Sequence, residues 1–171
     1  MKTAVIIGNK GQDGTLLSSL LKRLHYKVYG LNKQNIDLAS QIKIYDFIKR
    51  IKPKEVYYLA AYHHSSETRN KINLNLNYTV NYYGVLLFLE AIKKFSKHTK
   101  FFFASSSFVF LPSKKKQNEK TKVQPSCQYS NAKAASMLAC DYYKNSENLF
   151  VSYGILYNHE SIYRNSNFLS K

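Results

Sequence analysis

A tyrosine and a lysine four residues apart, Tyr129 and Lys133 in the run YSNAK, follow three consecutive serines, Ser105, Ser106 and Ser107. Residues four apart share one face of a helix, so the phenol and the ammonium are expected to point into the same site. A nearby cation stabilises phenolate and lowers the tyrosine pKa, which makes the side chain usable as a base near neutrality. In a chain with 15 tyrosines and 26 Lys and Arg such a pair also arises by chance. The serines change its weight, because a hydroxyl at the carboxyl end of a strand, facing the tyrosine helix, would orient a substrate hydroxyl. The candidate catalytic set is therefore Ser106, Tyr129 and Lys133.

The second cluster is Gly8, Asn9, Lys10, Gly11, Gln12, Asp13 and Gly14, lying between the apolar run TAVIIG and an amphipathic stretch. Glycines in such a place let the backbone turn tightly and approach a pyrophosphate, whose charge the following helix N-terminus stabilises. The match gains specificity from sitting after a first strand and opening a first helix. Dinucleotide enzymes that use NAD commonly carry an acid at the end of the second strand for the ribose 2′-hydroxyl, whereas the 2′-phosphate of NADP needs a cation. Here that strand ends Gly30-Leu31-Asn32-Lys33, with no acid. NADP is favoured, with Lys33 as a phosphate partner or as plain surface, and NAD is the alternative.

The elements that must position these groups alternate between short β runs and amphipathic helices, which implies a parallel sheet covered on both faces. Strands are expected at 3–8, 27–31, 35–37, 55–60, 100–105 and 149–156. Helices are expected at 13–24 on Leu16, Leu17, Leu20, Leu21 and Leu24, and at 40–51 on Ile44, Phe47, Ile48 and Ile51. A long one carries Leu76, Val80, Tyr83, Leu87 and Ala91 to about Phe95, and another spans 129–144. Residues 113–124 read as a solvated loop. The sum is one α/β domain over residues 1–171, a Rossmann-like, doubly wound parallel sheet of about six strands.

Composition bounds the function further. The net charge is +16, from 26 basic against 10 acidic residues. The lysines are scattered, with one local cluster at Lys114, Lys115 and Lys116 followed by Lys120 and Lys122, so diffuse surface charge is expected rather than specific nucleic-acid binding. The apolar run Ala4–Ile7 is too short for a signal peptide or a membrane span. Cys127 and Cys140 make neither a disulfide framework nor a metal set. No metal and no membrane partner are expected, and the default setting is reduced and cytoplasmic.

Taken with GQDG at 11–14, Asp37-Leu38, LAAYHH at 59–64, GVLLFLEAI at 84–92, ASSS at 104–107, YSNAK at 129–133 and GILYNHES at 154–161, the chain resembles the GDP-mannose 4,6-dehydratase family. That family belongs to the extended short-chain dehydrogenases/reductases. The resemblance spans the whole chain and implies a lyase of nucleotide-sugar metabolism, feeding polysaccharide biosynthesis, with a GDP-sugar substrate and the option of a homo-oligomer. It implies that the glycine loop with Asp13 holds the cofactor phosphates and that Asp37 and Leu38 contact the adenine. It further implies that Leu59, Ala60, Ala61, Tyr62 and His63 line the cofactor. His159 and Arg164 would sit by the nicotinamide side and the phosphates, and Asn158 would meet the substrate.

Two departures from the family pattern stand out. The family's active-site run is Ser-Thr-Ser-Glu, and here Phe108 follows Ser105-Ser106-Ser107. In the family reaction hydride leaves C4 of the sugar, the glutamate takes the C5 proton, water leaves C6 and hydride returns there. Phe108 cannot move a proton, so oxidation at C4 is expected to survive while elimination fails, unless His63, His64 or water substitutes. Family members also continue for about as long again, so this chain is expected to keep the cofactor site, to lack most of the substrate lobe, and to be catalytically crippled in isolation. A sugar-nucleotide epimerase or reductase, and a non-catalytic dinucleotide-binding or interaction module, remain open beside the dehydratase reading.

Overall fold

A computed structural model describes residues 1–63 and 73–164 of the chain; His64 lies outside the described residues. The elements run β1 (Thr3–Ile7), α1 (Gln12–Arg23), β2 (Lys27–Leu31), α2 (Gln41–Ile51), β3 (Glu55–Tyr58), α3 (Leu74–Tyr78), α4 (Gly84–Phe95), β4 (Lys100–Ser106), α5 (Gln128–Asn145) and β5 (Val151–Leu156). Five parallel strands form one sheet in the order β2-β1-β3-β4-β5. In register, Val5 stands beside Tyr29 on one side and Val56 on the other, and Val56 pairs with Phe101. The strand order reverses at β1, which carries the chain outward to β2 before it returns to β3. A ligand crevice opens at such a switch point, outside the carboxyl ends of the strands.

Alternation along β1 divides the core. Val5 and Ile7 pack with Ile44 and Ile48 of α2, Phe88 and Ile92 of α4, and Met137 and Cys140 of α5. Ala4 and Ile6 face the opposite way, toward Leu21 and Leu17 of α1. Three crossover helices thus cover one face and α1 covers part of the other. Of the leucine stripe on α1, only Leu21 is buried; Leu16, Leu20 and Leu24 stand exposed. On the α1 face, Tyr57, Leu59, Phe102 and Leu156 line an open apolar cleft of about 420 Å³ with Leu17, Asp13 and His159.

Two expected elements differ. Residues 35–37 are not a strand: the N–H groups of Asn35 and Ile36 both donate to Asn32 O, and Asn35 Nδ2 donates to Gly30 O at 3.0 Å. Asparagine amides here occupy backbone groups that a ladder would need, so a turn wins over a sixth strand. The expected long helix is also interrupted. One π-helical turn, Thr79–Tyr83, separates α3 from α4, and the extra residue rotates Asn81 into the interior. Pro53 follows α2 as expected, after Lys52 adopts a left-handed conformation at φ 43°. The stretch 113–124 contains no helix or strand.

Candidate active site

The glycine loop is fixed by backbone geometry. Gly8 has φ +90°, and a Cβ placed on it would lie 2.7 Å from Ala60 N. A side chain is excluded twice over, by the left-handed conformation and by the end of β3. A Cβ on Gly14 would fall 2.2 Å from Gly8 O, so α1 can start against the turn only with glycine there. Gly8 N–H donates to Leu31 O at 2.8 Å and Gly11 N–H to Gly8 O at 3.0 Å, closing the turn on itself. Gly11 is the N-cap of α1, and no side chain caps the first turn. Gln12 Oε1 is buried without a hydrogen-bond partner among the described residues.

Beside this loop the end of β2 is built from amides. Asn32 Nδ2 donates to Asn9 Oδ1 at 3.2 Å, and Lys10 Nζ donates to Gln34 Oε1 at 2.5 Å. Lys33 is exposed in the same turn. Lys10 and Lys33 therefore flank the acid-free strand end. Asp37 is exposed and accepts from Ala39 N–H, while half-buried Leu38 packs against the core.

The segment after β5 folds back onto the loop. Gln12 Nε2 donates to His159 O at 3.1 Å, and His159 Nε2 lies 2.7 Å from Asp13 Oδ1. The Tyr157 carbonyl and then Asp13 raise the His159 pKa above its ordinary value. Arg164 Nη1 donates to His159 O, and its Nε lies 3.2 Å from Glu160. Asp13, His159 and Arg164, far apart in sequence, are thus brought together, with Asn158 exposed beside them.

The second cluster lies at the carboxyl end of β4. Cys127 caps α5: its Sγ accepts from Ser130 N–H at 3.4 Å while Ser130 Oγ accepts from Cys127 N–H at 3.0 Å. This fixes Tyr129 in the first turn. Ser106 Oγ accepts from Phe108 N–H at 3.3 Å, starting the short 3₁₀ turn Ser107–Val109. Lys133 is 1% exposed, donates to Ala104 O at 2.9 Å, and lies 4.7 Å from the centre of the Phe103 ring. Burial lowers its pKa to about 7. Burial also raises the Tyr129 pKa, outweighing the downward pull of the Ser106 hydroxyl. A phenol with its pKa lowered by a neighbouring cation is therefore not what forms, because the same burial that gathers the two groups penalises charge on both.

Phe108, 48% exposed, stands edge-on to Tyr129 at a ring separation of 6.2 Å. His63 lies 4.7 Å from the Tyr129 ring and 5.6 Å from the Phe108 ring. Three rings thus wall one side of the serine. Leu59, Ala60 and Ala61 carry the chain from β3 past Gly8 toward this wall.

Two residues absent from the sequence expectations tie the site together. Asn81, fully buried, accepts from Tyr62 N–H, donates to Tyr62 O at 2.8 Å and donates to Asn77 Oδ1 at 2.8 Å. Asn77 in turn donates to Gln128 O at 3.0 Å, at the start of α5. A polar residue at an inward helical position is the signal that would have found them.

A parallel sheet with a glycine turn after β1, and a Tyr–Lys pair opening the helix behind β4, defines a Rossmann-like dinucleotide-binding domain of the short-chain dehydrogenase/reductase type. Within that class the chain belongs to the GDP-mannose 4,6 dehydratase family, whose model matches residues 33–171. It is 30% identical over 203 residues to GDP-mannose 4,6 dehydratase of Drosophila melanogaster, covering 99% of this chain and 50% of the relative. It is 30% identical over 199 residues to GDP-mannose 4,6-dehydratase of Vibrio cholerae, covering 99% and 53%. The chain spans about half the length of the curated relatives it matches. The fold is shared with a dTDP-glucose 4,6-dehydratase from Bacillus anthracis in complex with NAD, at TM-score 0.80 and 20% identity over 99% of this chain and 59% of that one. It is shared also with a GDP-L-fucose synthetase from Naegleria fowleri bound to NADP, at TM-score 0.71 and 18% identity over 89% and 51%. Among the described residues no helix is long and apolar enough to cross a membrane.

Proposed function

We propose that this chain is the NADP-binding part of a cytoplasmic nucleotide-sugar 4,6-dehydratase-like enzyme acting on a GDP-sugar, with its proton-transfer step altered at Phe108. The observation that carries this reading is the glycine turn locked against Ala60, at the same sheet edge as Ser106, Tyr129 and Lys133. A dinucleotide fits what is there. Gly8 and Gly14 leave the backbone bare where a Cβ would intrude, no side chain caps α1, and Gln12 Oε1 lacks a donor. The residues that would hold it are Gly8, Asn9, Lys10, Gly11, Gln12, Asp13 and Gly14 for the phosphates, with Asp37 and Leu38 at the adenine. Leu59, Ala60, Ala61, Tyr62 and His63 would lie along it, with His159 and Arg164 closing over the loop. Lys10 and Lys33 at the acid-free end of β2 favour a 2′-phosphate, hence NADP over NAD.

When bound, the nicotinamide supplies an acceptor and donor of hydride. The chain's own groups handle protons and position. Ser106 orients the sugar hydroxyl, Tyr129 takes its proton, and Lys133 titrates near neutrality beside them. Asn158 meets the substrate. Phe108 occupies the place of the family glutamate and offers no acid or base.

That apolar wall gives weight to a second reading, a sugar-nucleotide epimerase or reductase, since such chemistry needs Ser106, Tyr129 and Lys133 but no carboxylate at 108. Calorimetric titration tests the cofactor assignment: NADP is expected to bind one per chain and more tightly than NAD. Tighter NAD binding reverses the assignment, and binding of neither reduces the domain to a shared fold.

A further inference from the structure

The stretch between β4 and α5 is the most basic segment of the chain, and it is a folded concavity rather than a bare tail. Gln117 Nε2 donates to Leu111 O at 2.8 Å, while Tyr157 OH donates to Gln117 Oε1 at 2.6 Å. Gln124 N–H returns to Val109 O at 2.8 Å, and Asn118 N–H donates to Thr121 Oγ1 at 2.9 Å. These bonds hold a cleft of about 430 Å³ lined by Lys115, Lys116 and Lys122, with Ser113, Gln117 and Thr121 among its polar walls. No lysine of the cleft is ion-paired among the described residues. Three ammonium groups around one cavity repel one another, and a multiply charged anion relieves that repulsion. The cleft is also tied to the site at both ends. Its first residues follow directly on Ser106 and Phe108, and its Gln117 is anchored by Tyr157, two residues before His159.

We propose that this loop is an oxyanion subsite, with Lys115, Lys116 and Lys122 receiving the diphosphate of the nucleotide-sugar substrate. The proposal rests on the reading of the neighbouring site as one for a nucleotide sugar. It gives the half-length domain a substrate contact of its own, separate from the glycine loop that takes the cofactor's pyrophosphate. It also accounts for the one place where the chain's positive charge is concentrated rather than spread.

Calorimetry on the whole chain, saturated with NADP, tests it with GDP, pyrophosphate and inorganic phosphate as separate titrants at fixed ionic strength. GDP and pyrophosphate are expected to bind and inorganic phosphate much more weakly. The triple variant Lys115→Gln, Lys116→Gln, Lys122→Gln is expected to weaken GDP binding by about tenfold or more, as removal of three charge-assisted contacts implies. Its affinity for NADP is expected to stay within about twofold of the parent, since the lysines lie outside the glycine loop. Unchanged GDP affinity in the triple variant overturns the subsite. So does GDP binding that disappears at saturating NADP, which would put GDP in the cofactor's place. Inorganic phosphate binding as tightly as GDP overturns the nucleotide source. Failure of NADP to bind, with lysine-dependent GDP binding intact, would remove the cofactor reading and leave the subsite standing.

Discussion

The glycine loop and the Tyr129 corner lie at one edge of one sheet, yet they are determined in different ways. At the loop, backbone geometry excludes side chains: Gly8 and Gly14 are each within 3 Å of main-chain atoms that a Cβ would meet. At the corner, side chains decide. Lys133 and Tyr129 are pressed into the interior, both with their charged forms disfavoured, and Phe108 and His63 close the wall beside them. The first region tolerates almost no substitution without losing its shape. The second keeps its shape while its chemistry is rewritten. A family's binding end and its reacting end can therefore diverge separately.

The sharpest way to break this contrast is at Gly8. Gly8→Ala forces a left-handed residue, costing roughly 1–3 kcal/mol by itself, and drives its methyl group into Ala60. Loss of NADP binding and a fall in stability on the order of 3 kcal/mol are expected, read by titration and by the denaturation midpoint. A variant that binds NADP normally would mean the turn is not fixed by its backbone.

Asn81 joins the two regions, so its removal should injure both. Asn81→Ala strands the N–H and carbonyl of Tyr62 and the Oδ1 of Asn77, at about 1–3 kcal/mol for each buried group left unpaired. A loss of about 2 kcal/mol or more is expected, with faster hydrogen exchange at Tyr62 and in the first turn of α5. Exchange confined to the helix alone would place Asn81 outside the linkage between the regions.

Lys133 gives the corner a pH signature that the loop lacks. Its pKa falls from 10.5 to about 7 on folding, so between these values the unfolded chain binds one more proton than the native one. Stability from this group therefore rises with pH from about 7 to 10, and Lys133→Met should remove that rise. The difference in unfolding free energy between the two proteins should change by up to about 1.4 kcal/mol per pH unit in that window. Parallel profiles would show that Lys133 remains charged inside the fold.

The smallest expected effect is at the seam over the loop. His159 has a raised pKa, so its contribution is complete below the ordinary value of 6.5 and is lost as pH rises through the raised one. Both partners are partly exposed, so His159→Gln should cost under about 1 kcal/mol. The variant should also abolish the alkaline loosening of residues 157–164 seen by hydrogen exchange in the parent.

The strands and the glycine turn were legible in the sequence because each rests on a local rule. Buried parallel strands appear as apolar runs such as Ala4–Ile7, and the turn needs glycine where φ is positive. The expected strand at 35–37 failed for a reason equally local but harder to weigh, since Asn32 and Asn35 compete for their own backbone. The π-turn at Thr79–Tyr83 left no mark in the apolar stripe it interrupts, and Asn81 reads as surface until that turn rotates it inward. The Tyr129–Lys133 pair was visible by spacing, but its electrostatics were not. Spacing places two groups together; only burial decides which of them keeps a charge.

Phe108 carries the contrast between the two ends, and product analysis tests it most directly. Joined to the C-terminal half of a Drosophila or Vibrio relative and supplied with NADP and GDP-mannose, the domain is expected to exchange hydride at C4 without releasing water efficiently. A proton-transfer group of this kind is typically worth about 10²–10⁴-fold, so Phe108→Glu in the same fusion should restore 4-keto-6-deoxy product by a factor in that range. The result that contradicts this is a parent fusion already making that product at the relative's own rate, which would assign the C5 proton to another residue and leave Phe108 without the role given to it here.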